Sequence, residues 1–189
     1  MVQKHSAGLL LHRMRDERSQ VLLAHMGGPF WMRKDQGAWS IPKGEFELGE
    51  DPLTAARREF EEELGSPPPL GPYRALGSIK APGGKLVTVW AVESDFDASK
   101  AVSNTFEIEW PPRSGLLKSF PEVDRADWFT LDVARTKLVK SQIPFLDPTH
   151  EPAATRRRLN EYPGAVQTAA PTGWAMDRSL KQRLDVDAV

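Results

Sequence analysis

The stretch from Asp51 to Gly65 admits one local structure. Asp51 is a good helix N-cap, Pro52 fits the first helical position because its missing N–H would have no partner there, and Gly65 stands where a C-terminal cap belongs. The pattern predicts a helix over Leu53 to Leu64, and Pro67-Pro68-Pro69 with Gly71-Pro72 forbid its continuation. On that helix Glu59, Glu62 and Glu63 stand at i, i+3 and i+4 and share one face. Like charges so close repel. A solvated helix gains more by alternating glutamate with lysine, whereas converging carboxylates are stable beside a hard divalent cation, with magnesium or manganese the ions that oxygen ligands suit. Taken alone, Glu-Glu-Glu reads as ordinary acidic surface.

Composition narrows the function classes. With 26 acidic and 25 basic residues among 189, the formal charge is -1, so no overall field recruits a nucleic acid or an anionic membrane. The absence of cysteine excludes a disulfide framework, a thiolate zinc site and a cysteine nucleophile. Apolar runs are short, Gly8 to Leu11 being followed at once by His12-Arg13, so neither a spanning helix nor a secretory segment is read and a cytoplasmic location is expected. No Gly-x-x-x-x-Gly-Lys-(Ser/Thr) loop and no Gly-x-Ser-x-Gly elbow occurs. The four histidines lack metal-ligand spacing and are assigned no chemistry.

Two β-prone runs, residues 6–12 and 20–25, form an expected hairpin, followed by a Gly-rich, aromatic surface loop from Met26 to Gly37. After the helix, strands are expected at Arg74 to Lys80 and Lys85 to Val92 around a Pro82-Gly83-Gly84 turn. Then come Phe106 to Trp110, a loop holding Pro111, Pro112, Gly115 and Pro121, a strand Ala126 to Thr130, and a helix from about Asp132 to Gln142. The expected organisation is one domain over 1–150 and an extension over 151–189.

Gly44, Glu50, Arg58, Glu59, Glu62, Glu63 and Gly65 fit Gly-x5-Glu-x7-Arg-Glu-(apolar)-x-Glu-Glu-x-Gly. Seven fixed positions at about 7% usage each arise by chance on the order of once in 10^8 starts. This is the Nudix box, and the chain resembles the Nudix hydrolases over roughly residues 1–150, with Phe60 where an aliphatic residue is usual and Ser66 replacing a final apolar one. The resemblance implies an α/β fold, a mixed sheet sandwiched between helices (α/β/α). It also implies hydrolysis of a nucleoside diphosphate linked to another group, with Mg2+ or Mn2+ as cofactor. By carry-over Glu59 and Glu63 are metal ligands, and Glu62 is a ligand or the water-activating base. Glu50 and Arg58 orient the carboxylates, and a backbone carbonyl of Lys43 or Gly44 adds an oxygen. Relatives place a further carboxylate six residues ahead of a Trp, which here is Glu122 before Trp128; Glu107 and Glu109 are the alternatives.

The physical task agrees with this set. A pyrophosphate repels hydroxide until cations neutralise it, acidify a bound water and align it with the leaving oxygen. Trp39-Ser40-Ile41-Pro42-Lys43-Gly44 resembles the approach to the box in relatives acting on dinucleoside polyphosphates or diphosphoinositol polyphosphates, which puts Lys43 beside the phosphates. Lys80 and Lys85 are candidates for a distal phosphate. Phe30, Trp31 and Trp110 are candidates for stacking on a base. The expected partner is a nucleotide-sized substrate, a dinucleoside polyphosphate such as diadenosine tetraphosphate or an NTP, with no nucleic-acid or membrane partner. Rival readings are a non-nucleotide diphosphate hydrolase and a ligand-sensing module without turnover. The extension, with Arg156-Arg157-Arg158, Trp174 and a helix expected at Met176 to Leu184, is a candidate to cover the pocket, pair two copies as a homodimer, or stay mobile.

Overall fold

Ser6 to Leu11 are buried without alternation, the pattern of a strand covered on both faces. They belong to β1 (His5–Arg15), the centre of the sheet in the computed structural model, which describes residues 3–47 and 49–147. β1 turns through Asp16 and Glu17, both at positive φ, into β2 (Arg18–Met26), so the first hairpin is present and longer than expected. β5 (Arg74–Lys80) and β6 (Leu86–Glu93) form the second, joined by a single 3-10 turn at Pro82–Gly84. β6 runs parallel to β1, and every other pairing in the sheet is antiparallel.

Two short strands that local periodicity does not reveal complete the centre. β3 (Trp39–Ser40) pairs with β2, and β4 (Lys43–Phe46) lies along β1, opposite His5 to Gly8. Gly8 makes that approach feasible: a Cβ there would sit 2.6 Å from both the Lys43 Cβ and the Pro42 carbonyl oxygen. The sheet order is β3-β2-β1-β6-β5, with β4 on β1 and β9 (Val123–Thr130) on β2.

Each face of the sheet has its own core. On one side α1 (Pro52–Leu64) packs Ala55, Ala56, Phe60 and Leu64 against Ala7, Leu9, Leu11, Leu22 and Val92. Phe60 is fully buried and meets Phe96 edge-on at 5.8 Å, a burial worth about 1.5–3 kcal/mol. On the other side Ala134 of α2 (Leu131–Lys137), with Leu138, Phe145 and Leu146, covers Leu10, Leu23, Trp39, Ile41 and Val89. The architecture is the expected mixed sheet between helical layers.

Two segments differ from expectation. The helix expected to Gln142 stops at Lys137, because Leu138 bridges Trp39 and the Val139 N–H donates to the Trp39 carbonyl at 2.9 Å; a 3-10 segment, Lys140–Leu146, follows. The proline-rich stretch after Trp110 is not all loop, since β8 (Leu117–Pro121) pairs with β7 (Thr105–Glu109) as a separate two-stranded arm. Arg156-Arg157-Arg158, Trp174 and the helix expected at Met176 to Leu184 lie outside the described residues. No helix among the described residues is long and apolar enough to cross a membrane.

Candidate active site

The caps of α1 set the rotation of its acidic face. Asp51 Oδ2 accepts the Thr54 N–H at 2.8 Å, and Gly65, at φ 67°, donates its N–H to the Glu61 carbonyl at 2.8 Å. Glu59 therefore turns inward, 8% exposed, against β4. A Cβ on Gly44 would fall 1.6 Å from Glu59 Oε2, so only glycine leaves room for that carboxylate.

Arg58 organises the group. Its Nη1 donates to Glu59 Oε1 at 2.6 Å and Glu62 Oε2 at 3.2 Å, its Nε to Glu50 Oε1 at 3.3 Å, and its Nη2 to the Glu45 carbonyl at 3.4 Å. Desolvation works against the guanidinium charge, but the hydrogen bonds to Glu50, Glu59 and Glu62 outweigh it and raise its pKa. One side chain thus hydrogen-bonds three box glutamates, Glu50, Glu59 and Glu62.

Glu63 turns the other way and accepts the Lys43 N–H at 3.1 Å. Burial pushes its pKa up to about 7; the Lys43 charge and hydrogen bond oppose this, and the charges of Glu59 and Glu122 add to it. Burial also raises Glu59, against Arg58 and with help from Glu62 and Glu122. Glu122 reaches this group through a backbone relay: the Asn104 N–H donates to the Glu62 carbonyl at 3.1 Å, and the Glu122 N–H to the Asn104 carbonyl at 2.9 Å. Of the alternatives, Glu109 is committed to its own hairpin, accepting the Gly115 N–H at 2.8 Å, and Glu107 is exposed beside Ser119.

Mutual repulsion among Glu59, Glu63 and Glu122 is the condition a hard dication relieves, and the all-oxygen donor set suits magnesium or manganese. Among the described residues no three acidic or imidazole groups close on a single point, since Arg58 engages Glu59 and Glu62 while the Lys43 amide engages Glu63. The residues fit the ion by the chemistry of their donors.

The outer candidates separate. Phe30, 53% exposed, meets Trp110 edge-on at 5.2 Å, with the planes at 83°. Gly28, at φ +82°, allows the close approach of loop and arm, since a Cβ there would lie 2.8 Å from the Phe106 ring. Trp31 instead packs on the core with Lys34 Nζ 4.5 Å above its ring, so the expected stacking surface falls to Phe30 and Trp110. Lys85 is held by Glu45 at 2.5 Å, a carboxylate it shares with Lys4, and both keep the Glu45 carboxyl below its usual range; Lys80 is exposed at the end of β5.

Three positioning groups escape sequence reading. Gln142 Oε1 accepts the Ile41 N–H at 2.8 Å and its Nε2 donates to Ser40 Oγ at 3.0 Å, fixing the chain just before Lys43-Gly44. Asn104 carries the relay above. His25 is fully buried between two oxygen acceptors. Gln142 and His25 act across about a hundred residues of sequence, and only an unexplained polar residue in an apolar run hints at either.

The chain is similar in sequence and in fold to known proteins. The sequence pattern described as the NUDIX domain matches residues 4–148. An 8-oxo-(d)GTP phosphatase of Mycolicibacterium smegmatis is 33% identical over 103 residues, 53% of this chain but 26% of that protein. An RNA pyrophosphohydrolase of Rhodospirillum rubrum is 30% identical over 116 residues, covering 60% of this chain and 67% of that one. Among solved structures, a mutT/nudix family protein from Listeria innocua shares the fold with TM-score 0.51 at 14% identity, over 86% of this chain and 98% of that one. Fold and box together define a protein of the Nudix class. This chain belongs to the NUDIX domain family.

Proposed function

We propose that the chain is a metal-dependent pyrophosphohydrolase cleaving a phosphoanhydride in a nucleoside polyphosphate, either a dinucleoside polyphosphate or an NTP. The observation that carries this reading is the set of box carboxylates on α1, Glu59 and Glu62 held by Arg58 and Glu63 by the Lys43 amide, with Gly44 against Glu59. Glu59, Glu63 and Glu122, with a backbone oxygen at Lys43 or Gly44, would hold dications. Bound there, Mg2+ or Mn2+ supplies neutralising charge and a more acidic water.

The chain's own residues do the rest. Arg58 keeps Glu59 and Glu62 in their rotamers, and Glu62, more exposed than Glu59, takes the proton of the attacking water. The Lys43 ammonium stands beside the phosphate chain, and release of Lys85 from Glu45 would add a second cation. Phe30 and Trp110 form an L-shaped corner that takes one planar base, stacked on one ring and edge-on to the other. That corner favours a nucleotide over a diphosphoinositol, which has no planar ring. The names of the two curated relatives, a nucleotide phosphatase and an RNA pyrophosphohydrolase, point the same way.

Chromatographic identification of the nucleotide, pyrophosphate and phosphate products formed with Mg2+ from diadenosine tetraphosphate, GTP, dGTP, ADP-ribose and a diphosphoinositol polyphosphate tests this. Turnover confined to one or more nucleotides is expected; turnover of the inositol compound alone overturns the nucleotide reading.

A further inference from the structure

His25 is fully buried on β2, and the hydrolytic chemistry above leaves it unused. Its Nδ1 lies 2.7 Å from Asp124 Oδ1 and its Nε2 2.7 Å from the Lys34 carbonyl. Each ring nitrogen is thus held against an oxygen from a different segment, one in β9 and one in the loop after β2.

Asp124 is the extra residue of a β-bulge. Along β9, Arg125 faces His25 across the ladder and Val123 faces Met26, leaving Asp124 without a counterpart. Ala126 and Trp128 face the α1 core, so unbroken alternation would send Asp124 to that side and Val123 to the Trp39 side. The bulge reverses this. Val123 packs in the α1 core, Asp124 turns to His25, and Glu122 follows Val123 to the end of α1, where its charge reaches Glu59 and Glu63.

We propose that His25 is a positioning residue that pins this bulge, so that Glu122 is presented to the metal-binding carboxylates, while its second nitrogen ties down the loop that carries Phe30. The inference rests on the role of Glu122 proposed above. The two nitrogens can be tested separately, because an asparagine amide reaches roughly where Nδ1 stands and a glutamine amide roughly where Nε2 stands.

The experiment measures Mn2+ binding to the free protein by electron paramagnetic resonance, alongside kcat and KM, for wild type, H25N, H25Q, D124A and E122Q. H25Q, which loses Asp124, is expected to bind Mn2+ more weakly by roughly 10- to 100-fold, as outer-shell partners of metal ligands do. H25N is expected to keep its Mn2+ affinity and show its defect in KM, with faster amide exchange over residues 31–37. D124A removes the same pin from a partly exposed position and should reproduce H25Q, which covers the case in which H25Q does not fold. If E122Q weakens Mn2+ binding while D124A and any folded H25Q bind as wild type, His25 does not position Glu122 and the proposal is overturned. If E122Q itself binds as wild type, the proposal falls together with the ligand role of Glu122, leaving the α1 carboxylates untouched.

Discussion

The Glu59 carboxylate occupies the space that any side chain on Gly44 would need, its Oε2 lying 1.6 Å from where a Cβ would be. The first glycine of the box is therefore the other half of a carboxylate site. G44A must displace either β4 or Glu59. An overpacking cost of about 1–3 kcal/mol is expected in thermal or denaturant unfolding, together with roughly 10- to 100-fold weaker Mn2+ binding. A variant that unfolds and binds as wild type contradicts the interlock.

Arg58 holds Glu50 with its Nε and Nη2 and both Glu59 and Glu62 with its Nη1, a geometry one ammonium does not reproduce. R58K keeps the charge, so the melting temperature should move little. Its kcat should fall roughly tenfold or more as the carboxylates lose their fixed rotamers, with KM nearly unchanged. A large rise in KM at constant kcat would assign Arg58 to the substrate instead.

Glu63, raised from its ordinary 4.5 to about 7, and Glu59, also raised, make the metal-free protein sensitive to pH. Glu63 binds its proton more tightly folded than unfolded, so its contribution to stability is fully present below about pH 4.5 and is lost as pH rises through about 7; Glu59 shifts in the same direction. Thermal melts without metal should show this decline across that window, and E63Q should flatten it. Saturating Mg2+ should restore stability increasingly over the same range. Calorimetry in buffers of different ionisation enthalpy should find proton release on metal binding near pH 6 that vanishes well above 7.

Gln142 supplies the acceptor for the buried Ile41 N–H, two residues ahead of Lys43. Q142L fills similar volume but leaves that donor orphaned, at a cost of about 1–3 kcal/mol, read as a fall in melting temperature of about 2–4 °C per kcal/mol. Unchanged stability would show that the bond does not hold this segment.

What could be read from the sequence is what is encoded locally. Asp51, Pro52 and Gly65 sit within one helix, so α1 and its glutamate face follow from a fifteen-residue window. The hairpins β1-β2 and β5-β6 likewise carry their turns with them. The strands β3 and β4 are too short to show a period and exist because β1 and β2 offer them partners. The end of α2 is set by Trp39, about a hundred residues earlier, and β8 is hidden by the prolines around it. At the site, the shared face of Glu59, Glu62 and Glu63 is legible by spacing, whereas Glu122 is named only through the family resemblance, and its part as a ligand is a proposal. The corner of Phe30 with Trp110, the bond of His25 to Asp124 and those of Gln142 join residues 80 to 102 apart, which no local pattern encodes.

The central claim is that the α1 carboxylates hold hard dications, and titration calorimetry of Mn2+ and Mg2+ into the purified chain, with and without nucleotide, tests it most directly. Saturable uptake is predicted for wild type, with at least tenfold weaker binding in E59Q/E63Q, in keeping with the loss of two direct ligands. No uptake by wild type under either condition, or equal uptake by the double variant, would contradict the account.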